Sequence, residues 1–331
     1  MHVKAIVLTQ YGLADALQLQ DVEKPIPKAD EVAIAVRATT LNDWDWCLMR
    51  GTPFYIRLFC GLRTPNVRIP GAEIAGRVEA VGSKVTKFEP GDAVYGDISE
   101  AGFGGFAEYV CIKENALALK PERMSFIEAA AMPHAAMLAI QGLRDEGHLQ
   151  AGEKVLINGA GGGVGTLGIQ LAKLMGAAEV TGVDSSDKFE LMRAYGCDRV
   201  IDYQKEDFTA GGDRYDLILD TKTNRSLFKY LRVLHPNGRY VTVGGTTDRL
   251  IQTLLLGASI RKFSNKDARI VTLNPNQDLE YVNELVEASK VHPAIDGPYQ
   301  LEEIPKVIHY FGTGKHKGKV VITVGHEGGM A

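Results

Sequence analysis

The chain has 331 residues, 45% of them hydrophobic and 24% charged, and its 37 Lys+Arg against 41 Asp+Glu leave a formal net charge of −4. That length is more than one hydrophobic core usually spans, so two domains are expected, and the slight acidity argues against nucleic acid as a main partner. No run approaches the roughly 18 apolar residues of a membrane span; the nearest, 250–260, is broken by Gln252, Thr253, Gly257 and Ser259.

In chain order, Met1-His2-Val3-Lys4 leads straight into strand-like sequence with no room for a signal peptide, which points to a cytoplasmic protein. The first third is β-rich. Short runs at 4–8, 31–38, 74–81 and 106–112 are punctuated by Pro25-Ile26-Pro27, Pro70-Gly71 and Pro90-Gly91-Asp92, the pattern of a compact barrel-like domain. At Ser125-Phe126-Ile127-Glu128 the spacing of a capping box opens an Ala-rich helix. Strands are then expected at 154–158, 179–183, 199–202, 217–220 and 240–243, with helices at 165–175, 187–195 and 226–234. Such alternation indicates a parallel doubly wound sheet covered on both faces. Helices at 279–289 and 301–311 and a strand at 319–324 follow, and the tail from 325 is expected to fray. Cys47, Cys60, Cys111 and Cys197 form no C-x-x-C pair, so reduced thiols are expected rather than a zinc knot or disulfides.

The run Val155-Leu156-Ile157, the turn Asn158-Gly159-Ala160-Gly161-Gly162-Gly163-Val164-Gly165 and the helix after it make the strand-turn-helix context of a dinucleotide fingerprint. Glycines let the backbone approach a pyrophosphate, whose charge meets the unpaired N–H groups and positive dipole end of the helix. A bare glycine cluster also fits a plain flexible turn. Asp184, however, ends the next strand about 20 residues on, where a ribose-binding acid is expected. Ala160, Gly162, Gly163, Val164, Gly165 and Asp184 are therefore candidate cofactor contacts. Asp184 favours NAD(H), because a carboxylate repels a 2′-phosphate. Ser185, Ser186, Lys188 and Tyr203 could together cradle that phosphate and favour NADP(H), although Lys188 also reads as a solvated lysine in a first helical turn. The sequence leaves both cofactors open.

Over residues 3–324 the chain resembles the medium-chain dehydrogenase/reductase superfamily, and within it the zinc-free quinone oxidoreductase and zeta-crystallin branch. The resemblance is carried by Leu41-Asn42-Asp43-Trp44-Asp45 near Arg50-Gly51, Pro70-Gly71-Ala72-Glu73-Ile74-Ala75-Gly76, Gly104-Gly105-Phe106-Ala107-Glu108-Tyr109, the glycine turn, Asp220-Thr221, Val243-Gly244-Gly245 and Gly318-Lys319-Val320-Val321. It implies an α/β fold in which a Rossmann doubly wound parallel sheet, 125–273, is inserted in a GroES-like β-barrel catalytic domain formed by 1–124 and 274–331. The nicotinamide is then expected at the floor of a cleft between the domains, with NADP(H) somewhat favoured. Zinc-dependent members place a cysteine at Asn42, a histidine at Ala72 and a four-cysteine lobe where 97–106 runs directly to the next strand. Glu73 alone cannot build a tetrahedral site, so no metal is expected. Without a Lewis acid, quinones and conjugated enones suit the site better than simple alcohols and aldehydes, since the charge arriving with a hydride is delocalised.

Asn42, Asp45 and Tyr55 are the candidate catalytic residues. Asn42 could donate to a substrate or ribose oxygen and Asp45 could anchor the loop or order a water, although both also suit a helix cap. Tyr55 is a candidate proton donor or stacking wall, or ordinary packing. Cys47 replaces a tyrosine common in the branch, which leaves solvent as a proton source. Trp44 and Trp46 could line a pocket or belong to the core. His134 follows Pro133 where family members face the nicotinamide, and is otherwise structural. Val243, Gly244 and Gly245 are expected to meet the nicotinamide carboxamide through their backbone. The resemblance also suggests a homodimer paired near 270–273. Three functions remain in view: a reductase of quinones or enones, a zinc-free alcohol or aldehyde dehydrogenase, and a cofactor-binding protein with little turnover.

Overall fold

Short alternating strands and bulges shape the first part of the chain. In the computed structural model, which describes residues 1–325, β1 (His2–Leu8) pairs antiparallel with β2 (Leu17–Glu23). Five more strands follow: β3 (Glu31–Leu41), β4 (Glu73–Val81), β5 (Ala93–Asp97), β6 (Tyr109–Lys113) and β7 (Ala118–Leu119). The centre is β3, whose alternate residues Val32, Ile34 and Val36 are fully buried. Its pairing with β4 shifts register twice, between Ala33 and Ile34 and between Val36 and Ala38. Each shift adds local twist and bends the strand, which is how a sheet curls over its core. Truncating Ile34 to alanine would cost ~2–5 kcal/mol at such a site. The tail expected to fray lies, from residue 326, outside the described residues.

The next six strands are β8 (Lys154–Asn158), β9 (Glu179–Asp184), β10 (Arg199–Asp202), β11 (Tyr215–Asp220), β12 (Leu234–Thr242) and β13 (Asp267–Ile270). They form one parallel sheet in the order β10-β9-β8-β11-β12-β13. The runs Val155-Leu156-Ile157 and Leu217-Ile218-Leu219 are fully buried, as strands covered on both faces require. Strand order reverses between β8 and β11, and ligands of such sheets bind at the carboxyl ends beside that point. The stretch 250–260 lies in a helix, Thr247–Ser264, absent from the expected elements, and among the described residues no helix is long and apolar enough to cross a membrane.

Two final strands, β14 (Ile295–Gln300) and β15 (Lys319–Thr323), return to the first sheet, whose order is β14-β15-β3-β4-β5-β7 with β6 also on β3. The chain divides into two compact units. One comprises Met1–His134, Pro275–Ala288 and Ile295–Ala331; the other comprises Ala135–Asn274 and Ser289–Ala294. In the first unit Val320 lies opposite Leu41 and Glu73 opposite Asp97. The last residues of β3 and β5 therefore share one end of the sheet with the first residues of β4 and β15.

Candidate functional site

In the second unit, the carboxyl ends of β8, β11 and β12 are locked by one polar network. Asn158 donates from its amide to Asp220 Oδ1 at 2.8 Å and to the Tyr230 hydroxyl at 3.0 Å, and Tyr240 donates to Asp220 Oδ2 at 2.8 Å. Asp220 Oδ1 also accepts the Lys222 and Thr223 N–H groups. Burial and the Asp220 charge raise both tyrosine pKa values, so both hydroxyls stay protonated donors. A buried network satisfied in this way holds the platform rigid.

The glycine turn stands on that platform. Gly159 has φ +85°, and a Cβ on Gly165 would sit 2.3 Å from the Gly159 carbonyl oxygen, so the turn closes only without side chains there. The helix Gly163–Leu174 has no side-chain cap, and its first internal donor is the Thr166 N–H to the Gly162 carbonyl. Among the described residues the N–H groups of Gly163, Val164 and Gly165 find no acceptor. Three free donors at a positive helix end, with no side chain over them, fit a pyrophosphate. Beside Gly245, the buried Thr223 Oγ1 has no hydrogen-bond partner among the described residues.

Asp184 meets this turn directly. Its Oδ2 accepts the Gly161 N–H at 3.0 Å and its Oδ1 accepts the Ser185 N–H at 2.9 Å, with Lys188 Nζ at 3.3 Å. Lys188 is only 1% exposed and lies against Gly161, which replaces the solvated lysine weighed above. Burial lowers its pKa while Asp184 opposes that shift. Tyr203, bonded through its N–H to the Asp184 carbonyl, keeps its ring partly exposed. Lys222, missed in the sequence, runs its stem over Gly159, and its charge reaches Lys188. Val243 donates to the Asp220 carbonyl, and Gly244 and Gly245 follow it at the same sheet edge.

The first unit holds a buried polar cluster at its shared sheet end. Glu73 is fully buried, and its Oε2 receives Lys319 Nζ at 2.5 Å, the Thr40 hydroxyl at 2.5 Å and the Asn42 amide at 3.3 Å. Its Oε1 accepts the His134 N–H at 2.8 Å. Asp97 Oδ2 lies 2.7 Å from His134 Nδ1, and its Oδ1 accepts the Ser99 N–H. Burial works against charge on both groups, yet their mutual hydrogen bond outweighs it, holding Asp97 below the usual carboxylate range and His134 above the usual histidine value.

The sequence-derived catalytic candidates divide. Asn42 caps the helix Asp43–Arg50 and forms a reciprocal capping box with Asp45, while its amide turns to Glu73. Asp45 is fully buried and accepts the N–H groups of Gly71 and Asn42, so it anchors the loop before β4. Burial pushes its carboxyl up to about 7 against those two bonds. Tyr55 starts the helix Tyr55–Cys60, partly exposed and outside these hydrogen bonds. Trp46 packs on Phe311 in the core, Trp44 is exposed, and burial pushes the Cys47 thiol up to about 11. Thr40, Asp97 and Lys319 were not singled out by sequence; their signal was their place at strand ends.

The residues present do not fit a catalytic zinc. With Asn42 and Ala72 at two ligand positions, the Glu73 carboxylate is filled by an ammonium, a hydroxyl and an amide. Among the described residues no group of three or more His, Cys, Asp or Glu is placed to hold a metal ion.

Residues 28–122 match the family described as alcohol dehydrogenase GroES-like domain, and residues 195–322 match the one described as zinc-binding dehydrogenase. A 2-methylene-furan-3-one reductase of Solanum lycopersicum is 35% identical, over 97% of this chain and 79% of its own length. The chloroplastic NADPH-dependent alkenal/one oxidoreductase of Arabidopsis thaliana is 34% identical, with the same 97% and 79% coverage. Among solved structures, the quinone oxidoreductase from Coxiella burnetii superposes with a TM-score of 0.85 at 29% identity, covering 98% of this chain and 100% of that one. The doubly wound sheet, the glycine turn and relatives of this identity along almost the whole chain place it in the medium-chain dehydrogenase/reductase superfamily, among the quinone and alkenal oxidoreductases.

Proposed function

We propose that the protein is an NAD(P)H-dependent, metal-independent oxidoreductase that reduces a quinone or the conjugated double bond of an α,β-unsaturated carbonyl compound, with NADPH as the preferred donor. A bound nicotinamide cofactor supplies the hydride. The free N–H groups of Gly163, Val164 and Gly165 hold its pyrophosphate at the helix end. Val243, Gly244, Gly245 and the Thr223 hydroxyl offer backbone and side-chain groups for the carboxamide. At the 2′ position the Asp184 charge is already answered by two backbone N–H groups and Lys188, which weakens its power to repel a phosphate. Lys188, Lys222, Ser185, Ser186 and Tyr203 then supply charge and donors for one.

The observation that carries the substrate class is the Lys319 ammonium on Glu73. A carbonyl substrate finds no metal-ligand set at that carboxylate, so an acceptor that spreads the incoming charge over a conjugated system is favoured. Asn42 and Asp45 act from the loop beside this cluster as positioning residues, and Tyr55 remains the aromatic that could line the substrate. Following oxidation of NADPH and NADH against quinones, enones and saturated aldehydes tests the proposal: enones or quinones should drive it and aldehydes should not. No substrate-dependent oxidation across the panel contradicts it. We also infer a homodimer, because among the described residues β13 pairs only with β12 and its outer edge is unpaired; light scattering at the monomer mass would rule it out.

A further inference from the structure

The first unit turns an apolar face to solvent. In the helix Tyr55–Cys60 and the residues beside it, Ile56 is buried, whereas Phe54 is 65% exposed, Leu58 64%, Phe59 81% and Leu62 58%. Phe54 and Leu58 are four residues apart and share a side of the helix, with Phe59 next to them. Single exposed apolar residues need no explanation, but a contiguous group does. The segment is pinned at both ends. The Tyr11 hydroxyl donates to the Gly61 carbonyl at 2.5 Å, Arg57 Nε donates to the Gly51 carbonyl at 3.0 Å and its guanidinium covers the Tyr11 ring, and the Asn66 N–H donates to the Cys60 carbonyl at 2.6 Å.

Charge around this face is one-sided. Residues 46–72 contain Arg50, Arg57, Arg63 and Arg68 and no Asp or Glu, in a chain whose net charge is −4. The acids that flank the segment are Asp43, Asp45 and Glu73, and the last two are buried. Arg50, Arg63 and Arg68 are exposed, and among the described residues none of the four arginines is ion-paired. Elsewhere Arg199, Arg239 and Arg261 are each paired with a carboxylate. At Trp46 the helix Asp43–Arg50 meets the end of the helix Ile304–Gly312, which is followed by the exposed Lys315 and Lys317 and by no acid through residue 325.

We propose that this face docks the protein on an anionic membrane surface, with Phe54, Leu58, Phe59 and Leu62 entering the headgroup layer and the arginines meeting lipid phosphates. Such a contact is peripheral and needs no spanning helix. Guanidinium groups bind phosphate in a bidentate way while their stems lie along apolar surface, so arginines among Phe and Leu suit that layer. A second copy of the chain fits less well. A two-fold contact sets the patch on its own image and brings unpaired arginines against arginines. Side chains exposed by more than half do not line a pocket, which sets a small ligand aside. The proposal stands apart from the reaction assigned above.

Co-sedimentation of the full chain with vesicles tests this. Vesicles of phosphatidylcholine mixed with phosphatidylserine should carry the protein down, phosphatidylcholine alone should do so far less, and added salt should weaken the association. Leu58→Ser with Phe59→Ser should lower partitioning at least about tenfold. Arg63→Gln with Arg68→Gln should lower it about fivefold per charge. Both pairs should keep the wild-type melting temperature. If either melts early, tryptophan probes serve instead: Phe59→Trp should be quenched by brominated lipid chains, and Leu254→Trp, on the exposed apolar stretch of the helix Thr247–Ser264, should not. No association with the anionic vesicles at low salt overturns the proposal, as does association that both double variants retain, or quenching at 254 rather than 59. Self-association abolished by Leu58→Ser with Phe59→Ser overturns it in favour of a second copy.

Discussion

Lys319, the first residue of β15, sets its ammonium 2.5 Å from the carboxylate of Glu73, the first residue of β4, with side-chain exposures of 7% and 0%. An ion pair so deep stabilises little relative to an apolar pair, because both charges have been taken from water. Breaking it is another matter. Lys319→Met leaves a buried carboxylate with only Thr40, Asn42 and the His134 N–H, and is expected to lower stability by ~3–5 kcal/mol. Adding Glu73→Gln should recover much of that loss in urea denaturation. A double variant no more stable than the single one would mean that packing, not charge, holds this corner.

Asp45 gives a pH test. Its carboxyl is pushed up to about 7 by burial, whereas in the unfolded chain it titrates near 3.9. Between those values the folded state holds a proton that the unfolded state has released, so this group's contribution falls as pH rises from about 4 to about 7 and is flat outside that window. Subtracting the stability profile of Asp45→Asn from that of the wild type should reveal this slope. A difference independent of pH contradicts it.

How far the sequence disclosed these features depends on distance along the chain. The glycine turn, the Asp184 strand end and the capping boxes at Asn42 and Ser125 are local, and their residue types imply their geometry within a few positions. Lys319 and Glu73 meet only because β15 and β4 flank β3, and Asp97 meets His134 only because β5 ends beside them. No spacing rule encodes such meetings. The helix Thr247–Ser264 escaped for another reason, since Gln252, Thr253, Gly257 and Ser259 interrupt its apolar positions. Strand β14 escaped because Gly297-Pro298 reads as a turn, which an edge strand tolerates. The sequence leaves a solvated Lys188 open because its burial depends on Asp184 and Gly161 together.

The turn itself tolerates no side chain at Gly165, where a Cβ would lie 2.3 Å from backbone oxygen. Gly165→Ala must open the turn, at an expected overpacking cost of ~1–3 kcal/mol, and should weaken NADPH binding roughly tenfold or more, which corresponds to ~1.4 kcal/mol. Fluorescence titration measures this. Unchanged affinity would remove the turn from the cofactor site.

Cofactor choice should follow the groups around Asp184. Tyr203→Phe and Lys222→Gln each remove a donor that the proposed function assigns to a 2′-phosphate. Each should lower kcat/KM for NADPH by roughly tenfold or more, the ~1.5–3 kcal/mol of a charged hydrogen bond, with little change for NADH. Equal losses with both cofactors would place these residues at the part that NADPH and NADH share.

The most direct measurement uses NADPH deuterated on the nicotinamide ring, an enone as acceptor and mass spectrometry of the product. The expected product is the saturated ketone with the label on its β-carbon. An allylic alcohol with the label on the former carbonyl carbon, or no label transfer to any conjugated acceptor, would contradict the proposed reaction.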